Sequence, residues 1–377
     1  MCDGLKYLRG YINEFFRLRA LAISKKLIVQ FHLTSKCSMK CKHCYIYMNS
    51  ERYQDELANE LSFSWVCRVI DSIYNTAIKL QLDPVIEFTG GDPFLRDDFT
   101  QIIDYVKNKG IKFGIKGNPV FLTDELIKNL KENGLIRYQL SLDGIESTHD
   151  FIRSKGSFQK TIKGIQLLNQ NDIPVFIKYT VSKLNQNDLK PLIYFLDENN
   201  LKISAFSVAR YADKDNIDEM IYKPDEMKEL FELLLDVYIK IFSNKTKNIH
   251  FLFKEHLWYP FLHQKGYIDN RLLQKMVSIE NCYNCTMTKN IFVITPTGDI
   301  YKCRKVDASF LGNVKESSFQ DLVYGVKHKQ LLDTLQNSEC RHCFYYNVCL
   351  GCPAITEAVR KNIVERDPGC FLYKSNI

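Results

Sequence analysis

The sequence predicts an α/β fold in which parallel strands alternate with helices, followed by a smaller cysteine-rich α+β domain. Up to residue 210, six short apolar runs alternate with amphipathic stretches of helical length, an order typical of parallel sheets built from β-α-β units. Beyond residue 280 the chain has eight of its 13 cysteines. This density indicates a segment organised by metal ligands, because thiols in a chain without an export signal stay reduced.

Each predicted strand is a short apolar run. The strands are expected at residues 27–34, 85–91, 111–118, 136–144, 175–181 and 203–210, and the helices between them at 62–80, 94–110, 123–134, 158–170 and 187–200. A helix should begin at Thr123, which two acidic residues follow, and Gly110 and Gly134 should each end the helix before them.

Polar side chains recur at every second position of these strands, for example Gln30 and His32 in the first, Lys116 in the third, and Lys178 and Thr180 in the fifth. Successive side chains of a strand point to opposite faces, so one face of the sheet is polar. A sheet covered by helices on both faces would be almost entirely apolar. A solvated face or a barrel lumen that holds a charged ligand would explain the pattern, and the lumen is favoured because barrels place function at the carboxyl ends of their strands.

Three cysteines follow the first strand, at the end where a barrel would place its active site. Cys37, Cys41 and Cys44 have the spacing Cys-x3-Cys-x2-Cys. Structural zinc sites and ordinary iron–sulfur clusters take four protein ligands, so three thiolates leave one metal position open for a small molecule. A zinc loop is the competing interpretation.

The spacing of these cysteines is the signature of the radical S-adenosylmethionine (SAM) superfamily, which this chain resembles. The resemblance implies a partial (β/α)6 barrel in which the three thiolates hold a [4Fe–4S] cluster, with the amine and carboxylate of SAM on the fourth iron. It also implies further cofactor-binding residues. These are His43 and Tyr45 in the cysteine loop, Thr89, Gly90, Gly91 and Asp92 after the second strand, Ser141 and Asp143 at the end of the fourth strand, and Arg153.

The resemblance gives each of these segments an expected role. The glycine turn would bind the amino group of SAM, with Asp92 where relatives usually have Glu. Ser141 and Asp143 would bind the ribose hydroxyls and carboxylate of SAM, and Arg153 would pair with that carboxylate. Without the resemblance, Gly-Gly-Asp-Pro is a turn signal, and an arginine in a loop is usually solvated.

The cysteines after residue 280 resemble the SPASM extension of radical SAM enzymes, which holds two auxiliary [4Fe–4S] clusters. The chain has the Gly-x4-Cys segment of this extension, ending at Cys303, and its Cys-x2-Cys-x5-Cys run, after which x2 replaces the more usual x3. The resemblance implies three clusters in all. It assigns Cys282, Cys285, Cys303 and Cys352 to an inner auxiliary cluster, and Cys340, Cys343, Cys349 and Cys370 to an outer one.

Two cysteines, Cys2 and Cys67, are left over, and Cys67 is expected to be a small buried hydrophobe. The competing interpretation of the C-terminal part is a zinc ribbon that binds nucleic acid or protein. The five residues between Cys343 and Cys349 are fewer than zinc ribbons use. We therefore favour the cluster-binding interpretation.

These segments divide the chain into an N-terminal amphipathic helix (1–27), the barrel (28–210), a helical bridge (211–280) and the auxiliary domain (281–377). No run is long enough to span a membrane and no signal peptide opens the chain. The net charge of +7 comes without a basic tract and gives no indication of nucleic-acid binding. A cytoplasmic location is therefore expected.

The resemblance also implies the class of reaction. An electron from a donor such as flavodoxin or ferredoxin would cleave SAM to a 5′-deoxyadenosyl radical, which removes hydrogen from an unactivated C–H bond. The auxiliary clusters would then take an electron from the substrate. The leading hypothesis is a peptide maturase that forms an oxidative intramolecular crosslink, either thioether or carbon–carbon.

Other subtypes fit the sequence less well. Arg304 follows Cys303, where sulfatase maturases have Asp, and neither Cys2 nor Cys67 is well placed to quench a radical as in peptide epimerases. The N-terminal segment is too short for a leader-binding domain, so if the substrate has a leader peptide, a separate leader-peptide-binding protein or another surface must bind it. The alternatives are a radical dehydrogenase or maturase acting on a small molecule or cofactor precursor and, outside enzymes, a zinc-ribbon interaction protein.

Overall fold

The computed structural model describes residues 25–212, 220–243, 248–252, 255–278 and 285–372. Residues 1–24, which form most of the expected N-terminal helix, lie outside these ranges, as do Cys2 and Cys282. Among the helices in these ranges, none has the length and apolar character that crossing a membrane requires.

Six parallel strands form the central part of one sheet, as the alternation of apolar runs predicts. They are β1 (Lys26–Thr34), β2 (Asp83–Gly90), β3 (Lys112–Lys116), β4 (Leu135–Ser141), β5 (Val175–Val181) and β6 (Ile203–Arg210). Each strand pairs in parallel with the next one along the chain. The predicted fold class is confirmed.

Helices connect these strands at the five predicted places, and three more that the sequence did not predict occur at residues 45–48, 50–58 and 146–152. They are α1 (Tyr45–Met48), α2 (Ser50–Ala58), α3 (Phe63–Lys79), α4 (Phe99–Asn108), α5 (Asp124–Glu132), α6 (Glu146–Ile152), α7 (Ser157–Gln170) and α8 (Leu189–Glu198). Thr123 caps α5, because its hydroxyl accepts a hydrogen bond from the Leu126 backbone N–H at 3.2 Å. Gly110 and Gly134 follow α4 and α5 with φ of +67° and +105°, a conformation that glycine adopts without strain.

The sheet is longer than the sequence predicts, because strands from the rest of the chain add to both edges. Strand β7 (Ile249–Leu252) pairs in parallel with β6, and β8 (Ile291–Ile294) pairs in parallel with β1. Two antiparallel strands, β9 (Asp299–Tyr301) and β10 (Phe310–Asn313), complete the order β10-β9-β8-β1-β2-β3-β4-β5-β6-β7. The C-terminal hairpin is therefore part of the same sheet as the barrel.

The remaining helices lie in the bridge and the C-terminal segment. The bridge contains α9 (Pro224–Ser243), α10 (Trp258–Gln264) and α11 (Asn270–Ser278), and the C-terminal segment contains α12 (Phe319–Val323), α13 (Val326–Gln336) and α14 (Pro353–Arg360). Short 3-10 turns occur at Pro93–Leu95, Gln186–Asp188, Thr286–Thr288, Asp307–Ser309 and Glu339–His342. The sequence predicts helices alone for the bridge, and β7 escapes notice because four residues are too few to show a strand period.

A buried ion pair links the end of β6 to the C-terminal segment. Arg210 donates from Nη1 and Nη2 to the two carboxylate oxygens of Asp367, at 2.8 and 2.6 Å, and also pairs with Glu255 at 2.8 Å. Asp367 further accepts backbone N–H groups of Cys352 and Gly369, each at 2.9 Å. Burial alone would raise the pKa of Asp367, but Arg210 and these N–H groups hold it below its usual value.

Removing the guanidinium group should destabilise the fold. Arg210→Met leaves Asp367 buried without a counter-ion, so the free energy of unfolding should fall by about 3–5 kcal/mol. Urea denaturation monitored by circular dichroism measures this. The control is Lys190→Met, which removes an exposed pair with Asp236 and should leave the midpoint almost unchanged.

The same experiment has an expected pH dependence. Because the folded-state pKa of Asp367 is depressed, its contribution is complete above the unfolded pKa of about 4 and is lost as the pH falls through the folded value. The difference between wild type and Arg210→Met should therefore shrink in acid. A difference that is small at neutral pH, or unchanged in acid, would contradict the assigned role of the ion pair.

Candidate functional site

A cavity of about 370 Å³ opens at the carboxyl ends of the barrel strands. Its walls come from β1 to β5, the cysteine loop and one residue of the C-terminal segment, Lys305. The strand residues that reach it are those of the predicted polar parity, among them Gln30, Gln139 and Thr180. Residues of the other parity in β5, such as Ile177 and Tyr179, are buried in the apolar core. The polar strand face thus lines a lumen.

The cysteine loop places all three thiols on this cavity. Cys37, Cys41 and Cys44 line it and are partly exposed. Asn118 Nδ2 donates a hydrogen bond to Cys37 Sγ at 3.4 Å, and Arg153 Nη1 donates to Cys41 Sγ at 3.6 Å. Burial raises the pKa of Cys41 to about 11, although Arg153 opposes the shift. Such thiols stay protonated until a metal displaces the proton, so the donor set suits iron at an enclosed site.

The glycine turn after β2 packs directly on the cysteine loop. Gly91 N–H donates to Thr34 O and Asp92 N–H donates to Lys36 O, both at 2.8 Å. A Cβ at Gly90 or Gly91 would collide with these carbonyl groups. Both glycines also line the cavity. The sequence predicts that these glycines leave room for a ligand. In the structure they leave room for the backbone of the neighbouring cysteine loop.

Asp92, expected to contact the cofactor, supports the loop instead. The residue is fully buried. Its Oδ1 accepts the Phe94 N–H and its Oδ2 accepts the Asn118 N–H, each at 3.1 Å. Burial raises the pKa of Asp92 to about 6. Asp92 therefore fixes the backbone of Asn118, the residue whose amide reaches Cys37.

Asp143 likewise lies behind the cavity wall. It is fully buried, and its Oδ2 accepts Arg153 Nε at 2.5 Å and lies 3.6 Å from His43 Nε2. Its Oδ1 accepts the Thr180 N–H at 2.7 Å. Burial would raise the pKa of Asp143, but Arg153 and His43 outweigh that effect and lower it. Asp143 thus positions Arg153 and His43, which reach the cavity together with Tyr45, Thr89 and Ser141.

The described C-terminal cysteines form two sets whose thiols raise one another's pKa, and the assignment of these sets to two clusters stays a prediction. In the first set, burial and the nearby thiols of Cys352 and Cys303 raise the pKa of Cys285. Cys282 lies outside the described residues. In the second, burial and the thiols of Cys370 and Cys343 raise the pKa of Cys340 to about 12. Cys349 is close to Cys370 and Cys340 as well. Within the described ranges, no three His, Cys, Asp or Glu side chains close on a single metal ion.

Sequence reasoning gave no role to several residues at the cavity. Lys116, Lys178, Asn118 and Lys305 line it. Lys116 and Lys178 stand at strand positions of the predicted polar parity. This parity predicts that they face the lumen, but it assigns them no chemical role. Lys305 comes two positions after Cys303, and the sequence offers no indication that it reaches the barrel.

Arg304 follows Cys303 at the position where sulfatase maturases have Asp. It pairs with the buried Glu56. Glu56 also accepts the Ser35 hydroxyl at 2.5 Å. Ser35 lies between β1 and the cysteine loop, so this contact joins the C-terminal segment to the base of that loop. Arg304 is accordingly a link between two cysteine-bearing segments.

Comparison with known proteins places these features in a family. Residues 31–196 match the radical SAM superfamily, and residues 282–344 match the SPASM iron–sulfur cluster-binding domain. The Fe-coproporphyrin III synthase of Methanosarcina barkeri is 26% identical across 100% of this chain and 95% of its own length. A cysteine-type anaerobic sulfatase-maturating enzyme of Clostridium novyi is 22% identical over 91% of each chain.

Solved structures share the fold. The structure of anSMEcpe with bound AdoMet has a TM-score of 0.69 at 18% identity, covering 92% of this chain and 90% of that chain. Streptococcus suis SuiB bound to the precursor peptide SuiA has a TM-score of 0.65 at 20% identity, covering 94% and 78%. The matched residues and the parallel barrel agree, and the chain therefore belongs to the radical SAM superfamily and carries a C-terminal SPASM domain.

Proposed function

We propose that this chain is an enzyme that cleaves SAM at the Cys37, Cys41 and Cys44 site and oxidises an organic substrate, with the electron leaving through auxiliary clusters. The observation that carries this proposal is the placement of three thiols on one enclosed cavity, where three ligands leave a cluster position open. Radical SAM and SPASM domains both support [4Fe–4S] clusters. We propose three clusters, one for each group of cysteines.

The residues around the cavity fit these cofactors. The three thiols hold the cluster, Asn118 and Arg153 donate hydrogen bonds to two of the sulfurs, and Asp143 keeps Arg153 in place. When bound, the cluster and SAM supply a 5′-deoxyadenosyl radical that takes one hydrogen atom from the substrate. The barrel walls exclude water and competing hydrogen donors from that reaction.

The electrons and atoms of this reaction balance. One electron from a flavodoxin or ferredoxin-type donor enters, and SAM becomes methionine and 5′-deoxyadenosine after hydrogen transfer. The substrate then loses one electron to an auxiliary cluster and one proton to solvent. The substrate has lost two hydrogens, and the electron that leaves equals the one that entered.

Oxidation is favoured over quenching by hydrogen return. Among the described residues, the thiols that line the cavity are those of Cys37, Cys41 and Cys44. Cys67 lies on α3 and does not line the cavity, and it is partly exposed where the sequence predicts a buried side chain. A substrate radical in the cavity therefore has no spare described thiol beside it to return a hydrogen atom.

Two substrate classes have support. An oxidative intramolecular crosslink in a peptide, thioether or carbon–carbon, is supported by the shared fold of SuiB with its precursor peptide and by a 22% identical mycofactocin maturase MftC. A cofactor precursor is supported by the Fe-coproporphyrin III synthase and by AdoMet-dependent heme synthases, 24% identical over 91% of this chain.

Iron content tests the cluster assignment. Anaerobic reconstitution should give about twelve irons per chain. Replacing Cys37, Cys41 and Cys44 together by Ala should remove about a third of that iron and abolish 5′-deoxyadenosine formation, measured by liquid chromatography. Cys67→Ala is the matched control and should keep both. Stoichiometric zinc without a brown chromophore, or 5′-deoxyadenosine from the triple variant above reagent background, would overturn the proposal.

Loss of an auxiliary ligand should separate the two halves of the reaction. Cys303→Ala or Cys349→Ala should still yield 5′-deoxyadenosine but little product, since the substrate radical cannot pass on its electron. Product that has lost two hydrogens should be lighter by about 2 Da in mass spectrometry, as the loss of an electron pair and two protons requires. Product of unchanged mass that carries solvent deuterium would instead show quenching.

A further inference from the structure

We propose that Lys116, Lys178 and Lys305 form a binding site for carboxylate groups of the substrate, and that the substrate is a compact molecule with two or more carboxylates. This inference rests on the proposed function and identifies its substrate class. The three ammonium groups come from different parts of the chain. Lys116 ends β3, Lys178 lies within β5, and Lys305 follows Cys303, yet all three line one cavity.

The lysines act on one another as like charges in an enclosed space. Burial and the charges of Lys305 and Lys116 lower the pKa of Lys178 to about 8, although Glu255 and Asp143 oppose the shift. Burial also lowers the pKa of Lys116. Within the described part of the chain, neither Lys116 nor Lys178 has an ion pair or hydrogen bond. Lys305 lies 5.2 Å from the ring centroid of Tyr45.

No acidic side chain is among the residues that line this cavity, all of which are described. The carboxylates just behind its walls are already paired. Asp143, Glu87 and Glu255 pair with Arg153, Arg137 and Arg210, and Asp92 accepts two backbone N–H groups. The lysines therefore remain without a fixed counter-ion in the protein.

The cofactors do not supply the missing charge. An oxidised four-iron core has two positive charges and the three thiolates have three negative ones, while SAM that chelates iron through a neutral amine has a sulfonium and a carboxylate. Together these leave about one negative charge against three ammonium groups. Unpaired buried cations are costly to a fold, and a cleft that retains them is a candidate site for an anionic ligand.

The space around the lysines suits a molecule larger than SAM alone. A second cavity of about 360 Å³ adjoins the first, and Tyr45 and Lys305 belong to both. Its other walls include Arg52 and Arg304 and the acidic Glu51 and Asp307. A ligand that spans the two cavities passes Lys305. A compact molecule of that size can therefore place its carboxylates on the three lysines.

A porphyrin that carries propionate groups has this chemistry, and the name of one relative, Fe-coproporphyrin III synthase, contains such a molecule. Iron-coproporphyrin III is therefore the probe, and its tetramethyl ester is the matched neutral ligand. The cluster-loaded protein is used with SAM present, and binding is measured by equilibrium dialysis. The variants are Lys178→Met and Lys116→Met. Lys112→Met is the control, because Lys112 lies on the same strand as Lys116 and is exposed.

We expect the acid to bind wild type and the Lys112→Met variant equally. Lys178→Met and Lys116→Met should each weaken its binding by about tenfold or more, the effect of losing a charge-assisted hydrogen bond. The ester should bind all four proteins weakly and alike. The affinity for SAM should fall less than the affinity for the acid, and the ligand-free Lys178→Met protein should melt at a higher temperature, since it loses a half-buried cation that has no ion pair among the described residues.

Other outcomes would overturn the inference. Equal binding of acid and ester, or a loss of SAM affinity without loss of probe affinity, would show that the lysines serve SAM or the fold. Failure of the porphyrin to bind, together with binding of an acidic peptide that Lys178→Met weakens, would assign the lysines to a peptide substrate. Wild-type SAM cleavage, measured in the same preparations, reports on the proposed function separately, so failure of one is not confused with failure of the other.

Discussion

The backbone hydrogen bonds between the cysteine loop and the glycine turn are the constraint on which the site depends. They continue the β1–β2 ladder beyond the end of the regular strands, through Gly91 to Thr34 and Asp92 to Lys36. Asp92 then fixes the Asn118 backbone after β3, and Asn118 returns to the sulfur of Cys37. Three strand ends are thus held to one another before any cofactor binds, and the position of the first thiol follows from peptide geometry.

The acidic and basic side chains around the cavity have different roles. The carboxylates near the cavity, such as Asp143 and Glu255, lie behind its walls and are neutralised by arginines, whose planar donors suit such pairs. The lysines line the lumen, and no carboxylate among the described residues forms an ion pair with them. The result is an interior whose acids stabilise the scaffold while its cations remain available to a ligand. Arg210 and Asp367 extend the same arrangement to the auxiliary segment, since Asp367 also holds the backbone of Cys352.

Much of this fold could be predicted from sequence, because the signals are local. Alternating parity within β1 to β6 and the caps at Thr123 and Gly134 are properties of a few neighbouring residues. The features that the sequence did not predict have a different cause. Lys305 and β8 reach the barrel from far along the chain, and the hydrogen-bond partners of Asp92 and Asp143, such as Asn118 and Thr180, come from other segments. Position in a motif fixes where a residue lies, whereas its partners depend on the whole fold.

The pairing of β8 with β1 has a consequence for how the chain is made. Ile28 lies opposite Ile291, so one edge of the first strand has no partner until more than three quarters of the polypeptide has left the ribosome. An open apolar edge is a template for association with other chains, and contacts so distant in sequence form late. The newborn barrel must therefore be shielded, by a chaperone or by its own later segments, until residues near 291 arrive. A fragment that stops at the end of β6 keeps that edge exposed permanently.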